Sequence, residues 1–451
     1  MVQIAPFIDE GLGNSSYVVD LGEGRALVVD PFRDVEPYVR YAAEHSLSLA
    51  YSLETHLHAD FVSGSRELAR LGATILAPRG GDLAFPHRPL EDDEEADLGG
   101  LVVRGVGTPG HTPEHLSYLM LDRDRPVALF SGGALIVGSV ARTDLISPDR
   151  TEPLARALFR ALRDRILPLP DDLAVYPTHG AGSFCSAPGT GERTTTIGQE
   201  RRSNPLLRAP DEETFLKRLT AGLGSYPDYF MRLRDVNRRG PAIYGPELPR
   251  LAPLTPSELQ AAIAAGAELI DVRPIAHFAA AHIPSALSIA LRPAFASWLG
   301  WTVDADRALV FVADADQDRG DLVRQCLKIG YENLAGELAG GMASWRAAGL
   351  TEQRIELNAD APAAMATVVD VRQASEYAAG HAEATTHVEL GSLAGLAVSV
   401  AATEPVLMCG HGERAMTAAS LLERTGSRPA VFLGGPRDLA RVRGEQLVRG
   451  R

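Results

Sequence analysis

Thr55-His56-Leu57-His58-Ala59-Asp60-Phe61-Val62-Ser63-Gly64 is the stretch on which the reading of this chain turns. It sets two histidines two apart and an aspartate two further on, so imidazoles and a carboxylate can face one point. The run before it, Leu49-Ala50-Tyr51-Ser52-Leu53, reads as a buried strand. Imidazole and carboxylate at a strand end are donors that a first-row transition metal accepts. The motif alone is a moderate signal; the loops after neighbouring strands strengthen it.

Working outward, Ser16-Tyr17-Val18-Val19 and Ala26-Leu27-Val28-Val29 read as paired strands joined at Gly22-Glu23-Gly24. Helices are predicted over Val35–His45, over Ser63–Leu71 with Ser63 as cap and Gly72 as stop, and over Pro153–Arg165. Strands are predicted at Thr74–Leu76, Leu101–Val106, Leu116–Leu121, Val127–Phe130 and Leu173–Tyr176. Three loops follow such strands: Thr108-Pro109-Gly110-His111-Thr112, Ser131-Gly132-Gly133-Ala134-Leu135 and Pro177-Thr178-His179-Gly180. Rigid strands can hold such loops against one spot.

Prolines 241, 246, 249, 253 and 256 mark a domain boundary. Beyond it the chain repeats itself: Leu269-Ile270-Asp271-Val272-Arg273 is echoed by Val368-Val369-Asp370-Val371-Arg372, and Ala281-His282 by Gly380-His381. Each repeat alternates strand and helix, as in a parallel α/β sheet. The expected domains are residues 1–245, 252–350 and 360–451.

With 451 residues, length alone suggests roughly three domains. A formal charge of −14 argues against a nucleic-acid binder, because phosphate contacts need clustered Lys and Arg. No apolar run reaches the ~18 residues that span a bilayer. The amino terminus shows no secretory signal, and three scattered cysteines form no disulfide framework, so a cytoplasmic location is expected.

The first set of motifs resembles the metallo-β-lactamase superfamily, and within it the persulfide dioxygenase branch, followed by two rhodanese-like domains. The markers are Thr55 to Asp60, Pro109-Gly110-His111-Thr112, Ala141-Arg142-Thr143-Asp144, Tyr176 to Gly180 and the two repeats. The resemblance implies an αββα sandwich followed by two rhodanese-like α/β domains. It implies Fe(II), with Zn as the other candidate, held by His56, His111 and an aspartate. That aspartate belongs in the segment where this chain has Gly133. Phe61 stands where the superfamily often has a second-metal histidine.

Three arrangements stay open. His56, His58 and His111 form a three-histidine site; Asp60 or Asp144 supplies the carboxylate; or the site is weak or empty. His58 and Asp60 can equally brace ligands from behind. His179 is expected to hydrogen-bond in the pocket, as ligand or outer partner, and His115 to lie at the surface. Arg142 is a candidate for the substrate pocket, and with Asp144 for a structural ion pair. Gly133→Asp is expected to raise iron affinity.

In the second repeat, Val406-Leu407-Met408-Cys409-Gly410-His411-Gly412-Glu413-Arg414 ends a strand at a cysteine and opens a helix. Loop N–H groups and a helix N-terminus stabilise a thiolate or persulfide there. The pattern resembles the rhodanese Cys-x4-Arg loop, with Cys409 as nucleophile and Arg414 orienting the anion. The first repeat offers Ala313 or Asp314 instead and reads as an inactive spacer or docking domain. Cys185 and Cys326 read as buried core residues.

The resemblance implies sulfur metabolism: oxidation by O2 of a low-molecular-weight thiol persulfide such as glutathione persulfide to sulfite, with sulfurtransfer at Cys409. A homodimer is compatible with it. The rival readings are a thiol-ester hydrolase of the glyoxalase II type, and a metal-free binding domain with sulfurtransfer alone.

Overall fold

Apolar runs with alternating inward and outward residues give the amino-terminal unit two sheets, each six-stranded. The computed structural model describes residues 2–185, 191–358, 367–401 and 404–450. The expected domain limits at residues 1, 360 and 451 lie outside them. The chain divides into two compact units, Met1–Leu248 with Leu327–Gly330, and the remainder from Pro249.

In the first unit, one sheet runs in the order β1 (Ile4–Asp9), β2 (Asn14–Gly22), β3 (Arg25–Val29), β4 (Ser48–Leu53), β5 (Thr74–Pro78), β6 (Arg88–Leu90). The other contains β7 (Glu95–Asp97), β8 (Leu101–Gly107), β9 (Leu116–Asp122), β10 (Arg125–Gly132), β11 (Ala174–Pro177) and β12 (Thr195–Thr196), ordered β12 to β7. Tyr17, Val19, Leu27, Val29 and Leu53 face Tyr118, Met120 and Phe130 between the sheets. The alternate residues Val18 and Val28 pack outward against Tyr38 and Leu68 of the helices. On the other side, Leu119, Leu129 and Val175 pack against Leu158 and Phe215. The period of two along each strand thus makes both faces apolar, and helices cover both, giving the αββα sandwich.

Two helices differ from expectation. The segment predicted from Pro153 begins at Pro148, where a proline at the first helical position loses no hydrogen bond, and the α-helix ends at Ala161. The helix predicted from Ser63 spans Ser65–Arg70 behind Gly64. Ser63 does accept the Ser65 N–H at 3.0 Å, but its own hydroxyl donates to Glu54.

In the second unit, each repeat carries a five-stranded parallel sheet. The first repeat contains β13 (Pro253–Leu254), β14 (Glu268–Asp271), β15 (Leu287–Ser288), β16 (Leu309–Val312) and β17 (Leu334–Leu338), ordered β13-β17-β16-β14-β15. The second contains β18 (Glu356–Asn358), β19 (Val368–Asp370), β21 (Thr385–His387), β22 (Val406–Met408) and β23 (Ala430–Phe432), ordered β18-β23-β22-β19-β21. A short ribbon pairs β20 (His381–Ala382) with β24 (Leu447–Val448). Asp271 pairs with Val312 as Asp370 pairs with Met408. The register therefore aligns Ala313 with Cys409, deciding between the two residues that the sequence left open. No described helix is long and apolar enough to cross a membrane.

Candidate functional site

Four loops converge in the first unit. His56 and His58 follow β4, His111 follows β8, Gly133 follows β10 and His179 follows β11. Backbone hydrogen bonds lace these loops together: Leu116 N–H to Thr55, Thr178 N–H to Gly132, and Ser15 N–H to Thr178. Every histidine of the group is buried.

The outer nitrogen of each ring fixes its tautomer. Thr55 donates its hydroxyl proton to Asp30 at 2.7 Å, so at 2.8 Å its oxygen accepts from His56 Nδ1. His111 Nδ1 donates to the Arg142 carbonyl at 2.7 Å. His179 Nδ1 faces two acceptors, Asp60 Oδ2 at 3.2 Å and Asn14 Oδ1 at 3.3 Å. With all three protons on Nδ1, all three Nε2 atoms carry lone pairs. The ring centroids form a nearly equilateral triangle of 4.9, 5.0 and 5.2 Å. His111 Nε2 has no protein partner, and the Nε2 atoms of His56 and His179 lie 3.2 Å apart.

Two lone pairs at that distance repel unless a cation lies between them. Nitrogens bound tetrahedrally at about 2.0–2.1 Å sit about 3.3–3.4 Å apart, close to the spacing found. Burial, reinforced by the neighbouring histidines, holds His56 and His111 well below the usual imidazole range, so both are neutral, as ligands must be. The residues present therefore fit a first-row divalent cation. Their ligand atoms are all within 4.8 Å of one another.

Among the described residues, the group that joins His56 and His111 contains His179 and not the His58 of the expected three-histidine arrangement. The His58 Nε2 atom lies 3.1 Å from Glu54 and 3.3 Å from Asp30, in ion-pair geometry. Burial would lower its pKa, but the two carboxylates outweigh this and hold it up at about 10. Asp30 responds in kind: burial alone would raise it, while the His58 charge and its hydroxyl and N–H donors lower it. His58 also lies close to His56 with Asp30, and to His179 with Asp60, but the ring is committed to its carboxylates. Asp60 turns His179 and is itself held by Asn14 at 2.9 Å. Thr55→Val, which cuts the link from Asp30 to His56, is expected to weaken metal binding about 10–100-fold in a competition titration, as loss of outer partners does.

Gly133 has a reason visible in the packing. A Cβ there would meet the His111 ring at 2.7 and 3.0 Å and Ala141 at 3.0 Å. The Gly133 N–H donates to His115 Nε2 at 2.9 Å. His115, expected at the surface, is buried, stacks on His56 at 4.9 Å and braces this loop. The expectation that Gly133→Asp raises iron affinity is therefore reversed. That variant should displace His111 and lower metal occupancy, which elemental analysis would read. Phe61 stacks on His58 at 4.2 Å and offers no donor atom to the cluster.

Arg142 and Asp144 are not brought into the cluster. Asp144 belongs to none of the ligand groups among the described residues. It pairs with Arg142 at 2.7 and 2.8 Å, and the same guanidinium donates to the carbonyls of Phe184 and Gly224. It also lies over Tyr226. The Arg142 guanidinium thus makes four hydrogen bonds away from the cluster, and its carbonyl serves the site by aiming His111. Cys185 lies against Asp60; burial, then that carboxylate, push its thiol well above the usual range. Asp30, Glu54, Asn14 and Thr178 were missed as site residues. An aspartate directly after Ala26–Val29 was the available signal for the first. A small cavity reaches the cluster, lined by Glu54, His56, His58, Arg66, Glu114 and Asn237.

The second site forms in the other unit. Cys409 directly follows the strand β22, and its Sγ accepts the Gly412 N–H at 3.2 Å. Gly412 has φ +99°, and a Cβ would meet Leu433 at 2.9 Å and Ile275 of the first repeat at 3.0 Å, so glycine suits this turn. The helix Glu413–Glu423 starts there, and its buried Ala415, Met416, Ala418, Ala419 and Leu422 fix it. Its Thr417 donates to Ser288 of the first repeat at 2.6 Å. Arg414 does not contact the sulfur by hydrogen bond; it makes a two-point pair with Glu376 at 2.5 and 2.8 Å and lies over Trp298. In the first repeat the matching loop holds no thiol. There Asp314 pairs with His277 at 2.6 Å, and Arg319 ties to Glu337 at 2.8 Å.

The Metallo-beta-lactamase superfamily profile matches residues 9–179, and the Rhodanese-like domain profile matches residues 255–348 and 352–438. Over 203 residues the chain is 28% identical to "Persulfide dioxygenase ETHE1, mitochondrial" of Homo sapiens, covering 44% of this chain and 73% of that protein. Over 218 residues it is 30% identical to "Hydroxyacylglutathione hydrolase GloC" of Haemophilus influenzae, covering 44% of this chain and 93% of that protein. A solved metallo-beta-lactamase from Staphylococcus aureus subsp. aureus COL is similar at TM-score 0.65 and 28% identity, over 75% of this chain and 99% of that one.

Proposed function

Because the chain belongs to the metallo-beta-lactamase superfamily, with two rhodanese-like domains after that fold, we propose a two-site enzyme of sulfur metabolism. The amino-terminal site oxidises a low-molecular-weight thiol persulfide, such as glutathione persulfide, with O2. Cys409 transfers sulfane sulfur. The observation that carries the first part is the triangle of Nε2 lone pairs from His56, His111 and His179.

Those three residues would hold one Fe(II). Such an ion supplies open coordination positions for O2 and sulfur. The protein's own part is to keep the donors neutral and aimed. Thr55 and Asp30 orient His56, the Arg142 carbonyl orients His111, and Asp60 with Asn14 orients His179. The apolar Phe61 ring and the burial of every histidine exclude bulk water. At the second site Cys409 attacks the outer sulfur of a persulfide. A Cys409–sulfur bond forms, the donor's sulfur–sulfur bond breaks, and the donor leaves as a thiolate. The Gly412 N–H supports the sulfur throughout.

The iron-loaded full chain should consume oxygen with glutathione persulfide and form sulfite. Absence of uptake in protein that retains stoichiometric iron would refute the oxidation. The Haemophilus relative favours a second reading, hydrolysis of a glutathione thiol ester. Thiol release from S-lactoylglutathione without oxygen uptake would establish that reading instead. Phe61 counts against it, because it stands where the resemblance places a histidine for a second ion.

A further inference from the structure

The Arg414–Glu376 pair has a consequence for which sulfur donors Cys409 accepts, given the sulfurtransfer reading on which this inference rests. Arg414 is the one Lys or Arg of the Cys409-to-Arg414 loop. A guanidinium fork recognises a tetrahedral oxyanion by two parallel N–H donors. Here Nη1 and Nη2, two of the three guanidinium nitrogens, are already bonded to the two Glu376 oxygens, and the pair is neutral overall. Glu376 is fixed in turn: burial would raise its pKa, but Arg414 outweighs this and keeps it ionised, and it also accepts the Gln373 N–H at 3.1 Å. The nearby Arg372 is likewise committed, to Asp370 at 2.7 Å. Glu413, next to Arg414 in the chain, adds a further negative charge. With the Arg414 charge offset by Glu376, the group that donates to the Cys409 sulfur is the Gly412 N–H, at the start of the helix Glu413–Glu423. Those partial charges suit one thiolate or persulfide sulfur and do not balance a dianion.

We propose that Glu376 is a specificity-determining residue: by neutralising Arg414 it turns Cys409 away from dianionic sulfur oxyanions and toward hydropersulfides. The reaction is Cys409–S⁻ with R–S–SH, giving Cys409–S–SH and R–S⁻. Atoms and charge balance, and no outside oxidant enters. Glu376 acts through Arg414, so it is a positioning residue.

The test compares kcat/KM of the full chain for thiosulfate and glutathione persulfide, with cyanide as acceptor, in the parent, Glu376→Gln and Glu376→Asp. The parent should prefer the persulfide. Glu376→Gln should raise kcat/KM for thiosulfate at least tenfold, mainly through KM, and change the persulfide value less than threefold. Glu376→Asp should restore the parental ratio, which a merely structural role would not do. A parent that prefers thiosulfate, or a ratio unmoved in Glu376→Gln, overturns the inference while leaving sulfurtransfer standing. No transfer from either donor to a parent with intact Cys409 overturns the sulfurtransfer reading together with it. Should Glu376→Gln not fold, the salt dependence of the parent decides. Thiosulfate turnover should rise with ionic strength as repulsion is screened, and a fall would contradict the inference.

Discussion

Cys409→Ser should reduce sulfur transfer to the uncatalysed level, while oxygen uptake at the amino-terminal site stays unchanged. A hydroxyl oxygen cannot carry a sulfane sulfur, so no persulfide forms. Serine fits the same space, and the surrounding loop and helix should keep their places. Neither other cysteine can stand in. Burial raises the thiols of both Cys185 and Cys326, and both are fully buried. Only Cys409 combines a loop N–H on its sulfur with a helix start behind it. Transfer from glutathione persulfide to cyanide is the measurement. A residual parental rate would move the nucleophile elsewhere.

His179→Ala and His58→Ala should fail in different ways. His179→Ala removes one corner of the imidazole triangle. Metal affinity should fall at least about a hundredfold, more than the 10–100-fold expected for an outer partner. His58→Ala leaves Asp30 and Glu54 facing each other, buried, without their shared cation. Removing one partner of a buried ion pair costs about 3–5 kcal/mol, so this variant should lose stability first. Denaturant midpoints and metal titrations on the two variants separate these outcomes. Equal metal loss with no stability difference would put His58 among the ligands.

The sandwich and the parallel repeats were legible because strand periodicity and turn residues are local signals. His56 and His111 were legible for the same reason: each sits in a compact motif just past an apolar run. The part played by His179 was not. Its orientation depends on Asn14 and Asp60, which are far from it in sequence. The committed charge on His58 depends on Asp30 and Glu54, which precede the motif and look like ordinary strand-end acids. Gly133 read as a missing ligand, whereas its space is filled by the His111 ring. The choice between Ala313 and Asp314 needed the register of β14 on β16. The Glu376 pair at Arg414 joins a helix start to a loop in a way that no short motif announces.

X-ray absorption on the iron-loaded full chain would count the donors at the amino-terminal centre. Three imidazoles and no protein carboxylate is the result expected from His56, His111 and His179. Two imidazoles with a carboxylate would contradict it.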